Sequence, residues 1–316
     1  MTLTDEQKKR RRLGIGGSEI AALVGAHKYM RPIDVYATKV EGREVEDNEH
    51  MERGRFFERP TAEWYAHRTG ATLRETGTIV HPDNPLVICT PDFLAKAGGA
   101  EHDLSIKVPG PRTYGEWGED GTDQAPDAYL LQVQWELIPL QRLEGIAEAV
   151  IAAPVDGQLR RYPVKADLEC QSWLIEAAER FWRNHVEPKR PPDPDASDNY
   201  SEFIRAKYPR EDGPIIRADA DAEQWAAELA RARADLADAE GRETNARNWL
   251  MSIIGPAAGI EGEGWRIHYK TTKPARKVQW EALARHLGAT DADIEGFTTP
   301  GKSYRTFRPT FKRGDK

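Results

Sequence analysis

The stretches Cys89-Thr-Pro-Asp-Phe-Leu94 and Asp103-Leu-Ser-Ile-Lys107 decide the fold and the chemistry predicted for this chain. Both stretches have β-like patterns, and Gly98-Gly99 between them predicts a tight hairpin turn. The hairpin would bring Asp92 and Lys107 into one pocket. An acid after one strand and a lysine at the end of the next is typical of metal-dependent phosphodiesterases. In these enzymes carboxylates hold Mg²⁺, which prefers oxygen ligands, and the metal activates the water that the lysine orients.

Helical and strand patterns alternate on both sides of this hairpin, so an α/β or α+β fold is expected. The 3.6-residue pattern and the capping residues predict helices, and short apolar or alternating runs predict strands. The predicted helices cover 18–25 (with Ser18 as N-cap), 31–39, 55–68 with a break near Pro60, 128–140 and 168–186. The predicted strands cover 78–81, 86–90, 104–108, 147–153 and 159–164.

Composition divides the chain into three zones. Residues 1–187 carry the mixed pattern just described, and residues 188–214 are rich in Pro, Asp and Ser, as a linker would be. Residues 215–316 form an extension. There, a long helix over 221–251 with an apolar stripe (Trp225, Leu229, Leu236), strands over 265–272 and 303–308, and a helix over 280–287 are predicted.

The chain has 316 residues and a net charge of −7, and no apolar run reaches the roughly 18 residues of a membrane span. No secretory signal is recognised, and two cysteines are too few for a disulfide framework, so a cytoplasmic protein is expected.

Residues 265–316 hold 12 Lys and Arg against 5 Asp and Glu. This basic tail suits an anionic partner, although a solvated charged surface explains it equally. Basic residues of the tail alternate with aromatic ones, as in proteins that bind single-stranded nucleic acid and also in ordinary β-hairpins. The basic residues are Lys270, Lys273, Arg276, Lys277, Arg305 and Arg308, and the aromatic residues are Trp265, Tyr269, Tyr304 and Phe307.

Four motifs in order resemble the YqaJ-type viral recombinase family, relatives of phage lambda exonuclease within the PD-(D/E)xK nucleases. The resemblance covers most of residues 11–165, and each motif is weak alone. The motifs are Arg12-Leu-Gly-Ile-Gly-Gly-Ser-Glu-Ile20, Gly54-Arg-Phe-Phe-Glu58, Thr90-Pro-Asp92 with Ile106-Lys107, and Tyr129-Leu-Leu-Gln-Val-Gln134. The resemblance implies a restriction-endonuclease-like core, with a central mixed sheet flanked by helices.

Carried over position by position, the resemblance also implies roles for individual residues. Asp92 would be the central Mg²⁺ ligand, Glu58 would reach the metal from a neighbouring helix, and Lys107 would position the attacking water. The residues that would line the substrate path are Gln132, Tyr129 and Gln134 beside the DNA backbone, with Arg12 and Ser18 forming a 5′-phosphate pocket. A helix N-terminus at Ser18 would favour an anion on physical grounds as well.

The function that the resemblance implies is a Mg²⁺-dependent exonuclease, with Mn²⁺ as a substitute. Such an enzyme degrades one strand of 5′-phosphorylated double-stranded DNA from the 5′ end and leaves 3′ overhangs for a single-strand annealing protein. The family implies a homotrimeric ring around DNA. An acidic exterior with a basic channel would fit the charge asymmetry of this chain.

Ser105 departs from the family pattern, which places an acid two residues before the lysine. A serine hydroxyl is a poor Mg²⁺ ligand, so the catalytic position at 105 lacks its carboxylate. Three explanations remain open: an engineered inactive variant, a naturally silenced homologue that only binds DNA or a partner, or replacement of the carboxylate by Asp103 or Glu101. Outside its motif, Asp92 could also be an ordinary turn residue. Glu58 and Lys107 could likewise be ordinary surface charges.

Overall fold

A computed structural model describes residues 10, 12–43, 47–273, 277–299, 301, 305–307 and 309. The chain divides into two compact units, Met1–Lys207 and Tyr208–Lys316. The helices of the first unit are α1 (Gly17–Leu23), α2 (Pro32–Tyr36), α3 (Glu49–Thr69), α4 (Asp127–Glu144), α5 (Leu168–Phe181) and α6 (Asp198–Lys207). Its strands are β1 (Thr72–Arg74), β2 (Ile79–Val80), β3 (Ile88–Cys89), β4 (Phe93–Ala97), β5 (Ala100–Ile106), β6 (Glu148–Val155) and β7 (Gln158–Lys165).

A five-stranded sheet in the order β1-β4-β5-β6-β7 forms the centre of the first unit. Strands β5 and β6 are parallel, and the other neighbouring pairs are antiparallel. Strands β4 and β5 are joined by Gly98 and Gly99, whose φ angles of 58° and 92° suit glycine in a two-residue hairpin turn. Helix α4 lies in the crossover that a parallel pair requires. The predicted α/β core with a mixed sheet flanked by helices is confirmed.

The two faces of β5 are covered by different helices, because successive side chains of a strand point to opposite faces. Leu104 and Ile106 pack with Ala62 and Tyr65 of α3. Asp103 and Ser105 lie on the other face, on the same side as Leu94 and Ile151, which pack against α4. The strand therefore presents an apolar face to one helix and a polar face to the other.

Helix α3 is longer than predicted and runs through Pro60 without a break in its assignment. The Asn48 side chain accepts a hydrogen bond from the Met51 amide and caps the helix. The helix therefore begins at Glu49, six residues before the predicted start at 55. Pro60 and Phe56 are both exposed. A carbonyl freed by the proline ring is therefore open to water, which reduces the cost of the proline.

The segment predicted as a linker over 188–214 contains helix α6, which belongs to the first unit. Tyr200 and Phe203 of α6 are buried in the cluster that also holds Tyr36, and the rings of Tyr36 and Phe203 meet edge to face at 6.1 Å. Proline-rich composition alone does not reveal these two buried aromatic side chains. The compact first unit therefore extends to Lys207.

The second unit contains a 35-residue helix α7 (Ala220–Ile254), the hairpin β8 (Gly259–Gly262) and β9 (Trp265–His268), α8 (Trp280–His286) and α9 (Asp291–Gly296). The predicted long helix is therefore present, but its stripe residues Trp225 and Leu236 remain 69% and 60% exposed. Residues 305–307 have no strand, and the rest of the strand predicted over 303–308 lies outside the described residues, as do Arg276 and Tyr304. Across the described parts of the chain, no helix combines the length and the apolar character that a membrane span needs.

Replacing Phe203 by alanine tests whether α6 is part of the first unit. Phe203 is 2% exposed, so the truncation should leave a cavity and lower the free energy of unfolding by about 3 kcal/mol. Ile204→Ala on the same helix is the matched control, because Ile204 is 41% exposed and should cost less than about 1 kcal/mol. Urea denaturation measures both values, and equal small losses would show that α6 does not contribute to the core.

Candidate metal and nucleic-acid site

The hairpin β4–β5 brings Asp92 and Lys107 together, as predicted from the sequence. The backbone amide of Ile106 donates a hydrogen bond of 2.7 Å to Oδ2 of Asp92, which holds that carboxylate beside the end of β5. The Nζ atom of Lys107 lies 3.9 Å from the same oxygen. The two side chains are 23% and 14% exposed, so the pair is largely sheltered but open on one side.

Glu58 reaches this region from α3 and is half-buried. Burial raises the pKa of Glu58, and the Asp92 carboxylate raises it further, whereas the Lys107 charge opposes the shift. Glu58 therefore lies within electrostatic reach of both hairpin residues. Glu58 does not line the cavity that Asp92 borders.

Helix α4 presents Tyr129, Gln132 and Glu136 on one face, because their spacing of three and four residues matches the helical repeat. The Lys107 ammonium lies 5.3 Å from the centre of the Tyr129 ring, which stacks on Trp117. Nε2 of Gln132 donates to Oε1 of Glu136 at 2.9 Å. Tyr129 and Gln132 therefore border the site as the motifs imply.

Glu136 is the residue that the sequence interpretation missed. It is 3% exposed and lies in a helix segment that was interpreted only as an apolar face. The signal available was a carboxylate inside the run from Val133 to Leu140, four residues after Gln132. Charged groups are almost never buried in this way unless they are paired or bind an ion.

Three buried side chains of this region have polar atoms that receive no hydrogen bond from a donor group of the described residues, and the carboxyl groups of two of them, Asp103 and Glu136, are close enough to share a proton. These atoms are both carboxylate oxygens of Asp103, Oγ of Ser105 and Oε2 of Glu136. Burial raises the pKa of Asp103 well above its usual range, and the Glu136 carboxylate adds to the shift. Burial likewise raises the pKa of Glu136, with Lys107 opposing the shift and Asp92 reinforcing it. The carboxyl groups of Asp92, Asp103 and Glu136 therefore face one neighbouring positive charge in these pKa shifts, that of Lys107.

A cavity of about 210 Å³ joins the hairpin end, α1 and α4. Its polar lining includes both Asp92 and Glu136, and the full set is Gly16, Gly17, Ser18, Ile88, Cys89, Thr90, Asp92, Gln132 and Glu136. Gly17 lets α1 approach α4 this closely. A Cβ atom at residue 17 would lie 2.7 Å from Cγ of Gln132 and 3.1 Å from Oε1 of Glu136.

The beginning of α1 forms one wall of the cavity, and its start differs from the prediction. The N-cap is Gly16, whose amide donates to Oε2 of Glu19 at 2.7 Å, and Ser18 lies inside the helix. The same Glu19 oxygen pairs with the Lys39 ammonium at 2.7 Å in a nearly inaccessible ion pair. Glu19, inside the helix, accepts the hydrogen bond of the Gly16 amide, so Ser18 does not cap the helix. Ser18 instead lines the cavity.

Two predicted substrate-binding residues lie elsewhere. Gln134 donates to the Lys165 carbonyl at 2.7 Å and accepts from the Asp167 amide at 3.0 Å, so it joins α4 to the β7–α5 connection. Arg12 donates to the Gly42 carbonyl at 3.1 Å and does not line the cavity. The predicted pairing of Arg12 with Ser18 around a phosphate is therefore not seen, and Gln134 has a structural role.

The donor set of the cavity fits a divalent cation. Mg²⁺ commonly binds one or two carboxylates and completes its shell with water and substrate phosphate. Asp92 and Glu136 supply two carboxylates that line this cavity. Burial opposes the charge on Lys107, but Asp92 and Glu136 outweigh it and raise the pKa of this lysine. Within the described ranges, no group of three or more acidic, histidine or cysteine side chains is arranged to enclose a metal on its own.

Comparisons with known proteins match a part of this chain. Residues 6–139 match the model of the YqaJ-like viral recombinase domain. A curated relative, "Uncharacterized protein YqaJ" of Bacillus subtilis (strain 168), is 24% identical over 208 residues; the match covers 65% of this chain and 63% of the relative's own length. The alkaline exonuclease LHK-Exo from Laribacter hongkongensis is 19% identical, with 65% of this chain and 98% of that one covered and a TM-score of 0.47. A phage related exonuclease from Haemophilus somnus 129PT is 12% identical, with 64% and 99% covered and a TM-score of 0.43.

Replacing Lys39 by methionine tests whether the buried ion pair holds the wall of the cavity. The change leaves the Glu19 carboxylate without its cation in a buried position, so the free energy of unfolding should fall by about 3 kcal/mol. Lys28→Met is the matched control, because the Lys28–Glu116 pair is 57% and 47% exposed and its loss should change the free energy of unfolding far less. Chemical denaturation of the two variants compares the losses, and equal values would contradict this role for Lys39.

Proposed function

We propose that this chain, whose residues 6–139 match the model of the YqaJ-like viral recombinase domain, is a Mg²⁺-dependent exonuclease acting on double-stranded DNA. It would degrade one strand from a 5′-phosphorylated end and leave a 3′ single-stranded overhang. A single-strand annealing protein would use that overhang in phage-type recombination in the cytoplasm of the bacterial host. The 5′-to-3′ polarity, the annealing partner and a homotrimeric ring rest on the family resemblance.

One observation carries the hydrolytic part of this proposal. Asp92 and Lys107 meet at 3.9 Å at the end of one hairpin, and Asp92 shares a cavity with a second buried carboxylate. A carboxylate pair beside a lysine is a suitable arrangement for a cation that binds phosphate and for a donor that binds water. A module that only binds DNA has no need to bury carboxylates, which repel phosphate, at its binding surface.

Each side chain has a separate task in the proposed reaction. A bound Mg²⁺ would polarise the scissile phosphodiester and lower the pKa of the attacking water. Asp92, held by the Ile106 amide, would bind the cation, and Glu58 would support it from α3. Lys107 keeps its charge because its pKa is raised, so it can donate hydrogen bonds to the water or to the phosphate.

The remaining cavity residues would guide the DNA strand. Gln132 and Tyr129 lie on the face of α4 that borders the hairpin end, where they could contact the backbone of the strand being cut. Ser18 of α1 lines the same cavity, where its hydroxyl would contact a phosphate oxygen. Arg12 and Gln134 would not contact the DNA, because their side chains donate to the Gly42 and Lys165 carbonyls.

A second candidate is a catalytically silent homologue that binds DNA or a partner protein. Ser105 favours this candidate, because the strand position that carries an acid in the family holds a neutral hydroxyl here. Its prediction differs clearly from that of the nuclease: DNA is retained but never shortened. Incubation of the full chain with linear 5′-phosphorylated duplex and Mg²⁺ or Mn²⁺ decides between the two candidates.

Replacing Asp92 by asparagine tests the nuclease. The full chain is incubated with linear 5′-phosphorylated duplex and Mg²⁺ or Mn²⁺, and nucleotide release is measured. Asp92→Asn removes the anionic ligand and should reduce release at least about 100-fold. Asp83→Asn is the matched control, because Asp83 is exposed and paired with Arg142 at 2.9 Å, so its loss should leave release unchanged.

The position of a radioactive label tests the polarity in the same assay. Early release of mononucleotide from a 5′-labelled strand, with a 3′ label retained, is expected. Early release of the 3′ label would contradict the proposed direction. A parent chain that binds the duplex and releases neither label with either metal would favour the silent homologue.

A further inference from the structure

We propose that Glu136 of helix α4 replaces the missing acid at position 105 as the second carboxylate ligand of the cation. This assignment rests on the proposed function, since it names a ligand of the same metal site. It explains how a chain with serine at that strand position can keep a working centre. The carboxylate is supplied by the helix that covers the strand instead of by the strand itself.

The position of Glu136 is the first argument. Its side chain is 3% exposed and lines the same cavity as Asp92. One carboxylate oxygen, Oε1, is fixed by Gln132 Nε2 at 2.9 Å. The other, Oε2, is buried and receives no hydrogen bond from an amide, hydroxyl or charged donor of the described residues, while the Glu136 and Asp103 carboxyl groups are close enough to share a proton. A buried carboxylate without such donors costs stability unless a proton or a cation balances it, and Glu136 lines a polar cavity.

The space at position 105 is the second argument. Ser105 is 1% exposed and lies on the face of β5 that α4 covers. Its hydroxyl has no partner among the described residues, so the serine makes no polar contact that would explain it. A longer acid at this position would project from the strand toward the helix face that carries Glu136. A short neutral residue on the strand is therefore compatible with a carboxylate on the helix.

The other two candidate carboxylates do not reach the cavity. Glu101 is near the opposite end of β5, where Nε and Nη2 of Arg74 donate to its two oxygens at 3.2 and 3.1 Å. Asp103 is fully buried and does not line the cavity. It lies two residues before Ser105, roughly 6–7 Å further along the strand, whereas Mg²⁺ binds oxygen at about 2.1 Å.

Metal binding without DNA tests the assignment on the full chain. Mn²⁺ affinity is measured by calorimetry and by the electron paramagnetic resonance signal of free Mn²⁺. Glu136→Gln preserves the size of the side chain and should weaken Mn²⁺ binding at least tenfold. Glu144→Gln is the matched control on the same helix, because Glu144 is half-exposed and paired with Arg74, and it should bind Mn²⁺ as the parent does.

The exchange of the two residues is the sharper measurement. Ser105→Glu alone should not strengthen Mn²⁺ binding, because Glu136 already supplies the ligand. The double variant Ser105→Glu/Glu136→Ser should recover affinity to within about threefold of the parent, because it returns the carboxylate to the strand. Thermal unfolding of each variant identifies any loss that comes from misfolding.

The outcomes separate this assignment from the proposed function. If the parent binds Mn²⁺, Asp92→Asn loses it and Glu136→Gln retains it, the metal site stands and the role of Glu136 is wrong. If the double variant stays folded but fails to bind, the exchange of position is also wrong. If the parent binds no Mn²⁺ and releases no nucleotide, the proposed function and this assignment fail together.

Discussion

The packing of α4 on one face of β5 holds carboxyl groups away from water, and the rest of the site depends on this constraint. Asp103 and Glu136 are buried between the two elements, and burial disfavours their charged forms. Lys107 supplies positive charge at the open end. A third carboxyl group, on Asp92, lines the same cavity as Glu136. Such a group is stable only when protons or a cation balance it, which is why a metal ion fits this part of the fold.

The sequence was sufficient to predict the hairpin and the meeting of Asp92 with Lys107. Period-two alternation and the Gly98-Gly99 turn are local signals, and local signals fix which residues share the end of a hairpin. The four motifs likewise predicted a resemblance to the YqaJ-type family, and residues 6–139 match the model of the YqaJ-like viral recombinase domain. The sequence could not show what lies opposite Ser105, because the contact between β5 and α4 joins residues about 30 positions apart. Glu136 was missed for that reason.

Other errors follow from applying a motif without helical geometry. Gln132 and Gln134 lie two residues apart in the motif, and residues two apart on a helix point in nearly opposite directions. Only Gln132 faces the cavity, while Gln134 binds the Lys165 carbonyl. The linker prediction over 188–214 failed differently. Composition records average polarity, whereas Tyr200 and Phe203 are two buried side chains within a polar segment.

If Glu136 is a metal ligand, the serine at 105 follows from electrostatics and does not signal a lost activity. Binding of a cation depends on where the ligand oxygens lie, whichever helix or strand carries them. Either the strand or the helix can therefore supply the carboxylate. Supplying it from both would place an additional negative charge beside Asp103 in a buried space, and like charges there are costly. A neutral residue at one of the two positions avoids that cost. The departure from the family pattern and the buried carboxylate on α4 are then two parts of one arrangement.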